Sequence, residues 1–210
     1  MAKQNMKERR AILAGLGAVA AAGALGARSV EAQGASSDSF TPTLHIQDEW
    51  MSAMKSKHRV VLDVTSPDGV PDSIRFAGNL LTGHKNGWGV EESDVAVLVC
   101  FRHQATPFGY TDAIWSKYGK TIDPKATPPP AVNPYNSGEQ AQLAALAKRG
   151  VQFMVCGTAS RGLAGRIAGP GDDVEAKMGA NLIPSARIVP AGVVAVVHAQ
   201  ERRFALVSVG

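Results

Sequence analysis

Three observations predict an α/β fold for this 210-residue chain, a three-layer α/β/α arrangement around a mainly parallel sheet of about five strands. Short β-branched runs alternate with helical patterns along the chain. One of these runs, residues 95–101, has no polar alternation, as expected of a central strand covered on both faces. The connections between runs are short, as in parallel sheets built from crossovers. Composition is compatible with this. The chain is 45% hydrophobic and 19% charged, which excludes wholesale disorder. No strongly apolar run of about 18 residues occurs beyond the N-terminus, so a polytopic membrane protein is excluded. Two cysteines cannot make a disulfide scaffold.

The elements follow in order. Residues 33–57 read as a tether of small polar residues and then a short helix, with Ile46, Trp50 and Met54 on one face. The folded domain is expected over 58–210. Its first strand is 60–64, stopped by the turn signal Ser66-Pro67-Asp68-Gly69. A helix over 72–81 follows, with Asp72 as N-cap and Ile74, Ala77 and Leu81 inward, ended by Gly83 and Gly87. The second strand is 95–101. A loop over 102–110 leads to a helix over 111–118. Residues 119–138 carry Pro124, Pro128, Pro129, Pro130 and Pro134, so regular structure is not expected there. Such an insert is a lid, an oligomer contact or a loose surface segment. Ser137 with Gln140 forms a capping box for the next helix, whose apolar face is Leu143, Leu146 and Ala147 and whose end is Lys148-Arg149-Gly150. Strands are expected at 151–156, 187–189 and 204–209, and a helix capped by Asp172 or Asp173 runs through Gly179. Residues 192–202 are ambiguous. Their valines favour a strand, whereas their spacing and polar tail suit a helix.

Residues 1–32 read as an export signal peptide. Lys7, Arg9 and Arg10 precede an Ala- and Gly-rich apolar stretch, and Val30-Glu31-Ala32 is a small-x-small cleavage site. An uncleaved anchor is the alternative, disfavoured because Ala and Gly contribute little transfer energy and the stretch is short. No stable span is expected after cleavage. Arg9-Arg10 followed by Ala11-Ile12-Leu13 fits a twin-arginine leader, although Glu8 stands where Ser or Thr is usual. A periplasmic or otherwise exported location follows. The net charge of +4 is concentrated here. Lys3, Lys7, Arg9, Arg10 and Arg28 outweigh Glu8 and Glu31, leaving the rest of the chain nearly neutral. A nearly neutral body has no broad field for nucleic acid, and no such partner is expected.

In open parallel sheets, ligands bind beyond the carboxyl ends of the strands. The second strand delivers Cys100, Arg102 and His103 there. The third delivers Cys156 and the loop Gly157-Thr158-Ala159-Ser160-Arg161. A helix starting after Cys156 would stabilise a thiolate with its free N–H groups, and Arg161 or Arg166 would add positive charge. The competing reading is a small buried hydrophobe at a strand end. Cys100 sits inside an apolar run and reads as structural. A Cys100–Cys156 disulfide requires suitable Cβ directions on neighbouring strands. Cys156 to Arg161 is one residue short of a phosphatase loop and is compatible with a rhodanese-like anion cradle. His103 is a candidate general base or ligand, or a loop residue with one hydrogen bond. His45, His58, His84 and His198 show no close metal spacing, and neither metal nor cofactor is expected. Trp50, Trp88 and Trp115 read as packing residues.

The run Lys148 to Cys156 resembles the DsrE/DsrF-like sulfur-relay family, in which a helix ending in Gly leads into a strand ending in Cys. Ala180-Asn181-Leu182-Ile183-Pro184 and Val189-Pro190-Ala191-Gly192-Val193, with a polar helix end and a final strand, agree. The resemblance covers residues 58–210 without the insert. It implies a five-stranded parallel sheet, a helix at 192–202, homo- or hetero-oligomers, and a cysteine carrying persulfide sulfur between protein partners, a position that Cys156 matches. The leader, the insert and the stretch from Arg102 to Tyr110 differ from the cytoplasmic members and suit an exported subgroup. The other reading is a non-catalytic periplasmic module, with a structural Cys156 and a small ligand or metal in a crevice near His103.

Overall fold

The computed structural model describes residues 41–138 and 141–210. The leader, its twin-arginine pair and its cleavage site lie outside these residues, as do Gln140 and most of the tether.

Five strands form one all-parallel sheet in the order β4-β3-β2-β1-β5. They are β1 His58–Val64, β2 Val95–Phe101, β3 Gln152–Cys156, β4 Ala186–Val189 and β5 Ala205–Val209. Strand β2 is buried at every residue because it has neighbours on both sides and helices on both faces. Pleating sends alternate side chains to opposite faces. Leu62, Val97, Val99, Phe101 and Phe153 pack on one face, beneath α2 Gly69–Trp88 and α4 Gln142–Lys148. Val155 continues this face beneath α3 Asp112–Ile122, α5 Gly157–Ile167 and α6 Val174–Ala180. Val61, Leu98, Cys100 and Met154 occupy the other face, beneath α7 Gly192–Glu201 and α1 Glu49–Ala53. The expected three-layer arrangement is therefore present. Among the described residues, no helix is long and apolar enough to cross a membrane.

Several boundaries differ from the sequence reading, each for a local reason. Helix α2 starts at Gly69 rather than Asp72, with Pro71 in its first turn, where a missing N–H costs nothing. Gly83 and Gly87 do not stop it. It ends at Gly89, whose φ of 64° lets its N–H and that of Val90 bond back to Lys85 O and His84 O. Helix α3 runs through the start of the Pro-rich insert to Ile122, since the prolines begin only at 124. The rest of the insert is irregular but tied down. Asn133 is fully buried, and its amide donates to Phe108 O and Tyr110 O at 2.9 and 2.8 Å. Helix α4 starts at Gln142 with Ala141 in the N-cap position, so Ser137 lies upstream of the helix. Residues 192–201 are helical, because alternate faces of a strand would leave Ala195, Val196 and Ala199 without the common buried side that α7 provides. Trp115 is buried and Trp50 half-buried, but Trp88 is 78% exposed at the end of α2 and packs no core. Met51 is fully buried on the α7 face, so the short helix α1 belongs to the core.

Candidate functional site

The chain leaves β3 into α5 on one face of the sheet and leaves β4 into α7 on the other. β3 and β4 are neighbours, with Cys156 opposite Val189. The crevice between their carboxyl ends is thus a topological switch point, the usual ligand position in open parallel sheets. Cys156 occupies it.

Two helix starts converge on its sulfur. Cys156 is the N-cap of α5, and its Sγ accepts the Ala159 N–H at 3.5 Å. The Gly192 N–H, at the first residue of α7, donates to the same sulfur at 3.1 Å. Both donors carry the partial positive charge of a helix N-terminus and stabilise negative charge on sulfur. The surrounding turn is braced. Thr158 Oγ1 donates to Pro190 O at 3.2 Å, and Ser160 Oγ donates to Cys156 O at 2.8 Å. Tyr110 hydrogen-bonds Ser160 in turn, and burial pushes the Tyr110 phenol up to about 12. Cys156 itself is only 7% exposed.

Gly192 can approach this closely because it has no side chain. A Cβ there would lie 2.8 Å from Arg102 Cβ and 3.1 Å from Cys156 Cβ. Arg102 thereby packs against the site. Its guanidinium is engaged by Asp63 of β1 through two bonds of 2.6 and 2.7 Å. Asp63 is buried, and this hydrogen-bonded carboxylate holds Arg102 firmly in its charged form. Arg102 stood in the sequence reading only as a residue delivered by β2. Asp63 and Gly192 were missed, and no local signal marks a buried acid inside a strand or a glycine beside a distant cysteine.

The other residues named from sequence lie differently. Arg161 is exposed on α5, and its guanidinium reaches Thr158 Oγ1 at 3.4 Å. His103 is exposed at a φ of 51°, at the start of the 3-10 turn His103–Gly109. Neither is among the hydrogen-bond partners of Cys156 Sγ in the described residues. The anion-cradle reading of residues 156–161 fails, because Gly157 onward is helix rather than a loop wrapped around an oxyanion.

Cys100 is fully buried, and burial pushes its thiol far up; its Sγ lies 3.7 Å from Gly192 O. Both cysteines are free thiols. Cys100 pairs in register with Met154, so Cys156 is two residues further along the same face. Strand spacing and rise then place the two Cα atoms roughly 8 Å apart, beyond disulfide reach. Among the described residues, no group of three or more His, Cys, Asp and Glu is placed to hold a metal ion.

No protein-family model and no curated protein matches the chain. Among solved structures it is similar to a protein of unknown function, MTH1491, from Methanobacterium thermoautotrophicum. The identity is 18%, the match covers 72% of this chain and 99% of that one, and the TM-score is 0.46.

Proposed function

We propose that this chain is an exported protein of the DsrE/DsrF-like type that carries sulfur as a persulfide on Cys156. The observation that supports this most is the sulfur at the start of two helices, receiving N–H groups from Gly192 and Ala159. In the step proposed, the Cys156 thiolate attacks the terminal sulfur of a partner's persulfide. A new S–S bond forms on Cys156 as the partner's S–S bond breaks, and the electron pair leaves on the partner's thiolate. Sulfur is transferred without net oxidation, and the two backbone N–H groups face the attacking sulfur.

The chain is also proposed to self-associate. Val193, Val194 and Val197 are exposed along the outer side of α7, an apolar face beside the candidate site. The near-complete burial of Cys156 supports the second reading, a non-catalytic module in which this sulfur is structural.

Alkylation rates against pH on Cys100→Ser and Cys156→Ser variants separate the two readings. Intact mass before and after a reductant accompanies them. The sulfur-carrier reading expects Cys156 to label in the native protein at pH 7 and to gain 32 Da (about one sulfur atom) reversibly from a persulfide donor. Labelling of Cys156 only after denaturation would sink it in favour of the structural module.

A further inference from the structure

A second built feature lies between residues 45–48 and α7. Asp48 occupies the N-cap position of α1, where an aspartate usually accepts a helix N–H, yet it makes no capping bond. Its carboxylate, on a side chain 9% exposed, instead accepts from His198 Nδ1 at 2.6 Å across 150 residues of sequence. An ionised carboxylate only accepts, so Nδ1 carries the proton; an imidazole that carries this proton alone presents Nε2 as an acceptor. The His45 ring lies 5.2 Å from the His198 ring at an interplanar angle of 28°. The buried Arg202 clips these segments together. It donates to His198 O at 3.0 Å, to His45 O at 3.5 Å and to Ser52 Oγ at 3.2 Å. The two histidines and Asp48 line a cavity of about 290 Å³ whose remaining wall includes Ala191, Val194 and Ala195.

We propose that this cavity binds a neutral single-ring molecule bearing one O–H or N–H donor, of the phenol or azole class. The donor meets His198 Nε2, and the ring lies between the His45 imidazole and the apolar wall of α7. Size supports one ring, since pockets for drug-sized ligands begin near about 300 Å³. The Asp48 carboxylate and the buried Arg202 guanidinium balance in charge around the two histidines, which suits a neutral ligand. The aromatic face of His45 and the small aliphatic residues opposite it suit a flat apolar body. The inference does not depend on any role for Cys156.

The test is a titration of the full chain with phenol and with anisole, the same ring without a donor. Histidine side-chain NMR signals are read at pH 8, where the His198 nitrogen shifts also report whether Nε2 carries a proton. Phenol is expected to shift the His198 signals saturably and to bind at least about tenfold tighter than anisole, as expected for a polar site left unpaired by the analogue. In Asp48→Asn the neutral amide polarises His198 less, and the phenol-to-anisole ratio falls towards one. Val194→Phe fills the cavity from its exposed side, so phenol binding is lost while the His198–Asp48 signals remain. Equal binding of phenol and anisole to the native chain, no saturable shift at millimolar phenol, or an unchanged ratio in Asp48→Asn overturns the proposal. If Asp48→Asn does not fold, the comparison on the native chain and on Val194→Phe still decides it.

Discussion

Gly192 has no room for a side chain, because the atoms that a Cβ would meet are the Cβ atoms of Arg102 and Cys156, which cannot swing away. In Gly192→Ala the start of α7 must retreat. The expected cost is about 1–3 kcal/mol, typical of overpacking. The N–H to Cys156 Sγ lengthens or is lost. A hydrogen bond to a charged group contributes about 1.5–3 kcal/mol, so alkylation of Cys156 at pH 7 should slow by about tenfold or more. An unchanged rate would show that this donor does not support the thiolate. Asp63 poses the complementary case. Its bidentate pair with Arg102 is largely desolvated, with side-chain exposures of 8% and 19%. Removing one partner strands the other charge, so Asp63→Ala should lose about 3–5 kcal/mol in urea unfolding. The double variant with Arg102→Ala should lose less than Asp63→Ala alone. Both residues are ordinary in sequence, a β-strand acid and a glycine after Pro190-Ala191. Only Cys156 announced itself, through its place at the end of an apolar run and before small residues.

At the scale of elements, the Pro-rich insert shows how one side chain can order an irregular segment. The Asn133 side-chain amide donates to two carbonyls of the turn after β2, its backbone N–H donates to Asp112 Oδ1 at 2.8 Å, and its side-chain oxygen Oδ1 accepts from Tyr135 N at 3.1 Å. Tyr135 then packs on Phe108 with ring centroids 5.7 Å apart. Each buried carbonyl left without a partner costs about 1–3 kcal/mol. Asn133→Ala should therefore destabilise by at least about 2 kcal/mol and raise amide exchange across 123–138, while exchange in β2 changes little. Equal loss of protection in β2 would mean that the insert and the sheet open as one unit. The prolines correctly signalled the absence of regular structure beyond Ile122. They could not signal that Asn133 would be buried, because its partners are carbonyls 23 and 25 residues away.

For the whole molecule, Asp172 links α3 to α6. Its carboxylate accepts from Lys177, from Lys117 at 2.9 Å and from Tyr118 at 2.7 Å, and these bonds, led by Lys177, hold it well below the usual carboxylate range. A depressed folded-state value means that the unfolded chain binds the proton first. The contribution to stability is thus complete above the ordinary carboxylate value of 3.8 and is lost as pH falls below it towards the folded value. Asp172→Asn should remove part of the stability difference between pH 6 and pH 3 measured by denaturant unfolding. An identical pH dependence in the variant would show that the linkage carries no stability. The proposed self-association is tested at this scale too. Light scattering is expected to give a dimer or larger at micromolar concentration, and Val197→Glu, on the exposed side of α7, should shift it towards monomer.

Hydrophobic periodicity acts within a few residues, and what depends on it was legible from the sequence alone. The alternating elements, the buried run of β2 and the three-layer class all follow from local pattern, whereas residues 157–161, which read as a loop, are the start of α5. Helix ends were less legible, because tertiary packing carried α2 past two glycines that propensity would have used as stops. What only the tertiary structure decided are the meetings of distant residues. His45 and His198 looked like unrelated histidines until α7 folded back beside the N-terminal segment. Asp63 and Arg102 became a pair only when β1 and β2 came into register. Gly192 reached Cys156 because β3 and β4 are neighbours whose helices leave on opposite faces. The sequence pattern reports burial along one element, whereas these contacts depend on strand order and crossover side, which bring together chain positions that no local spacing relates.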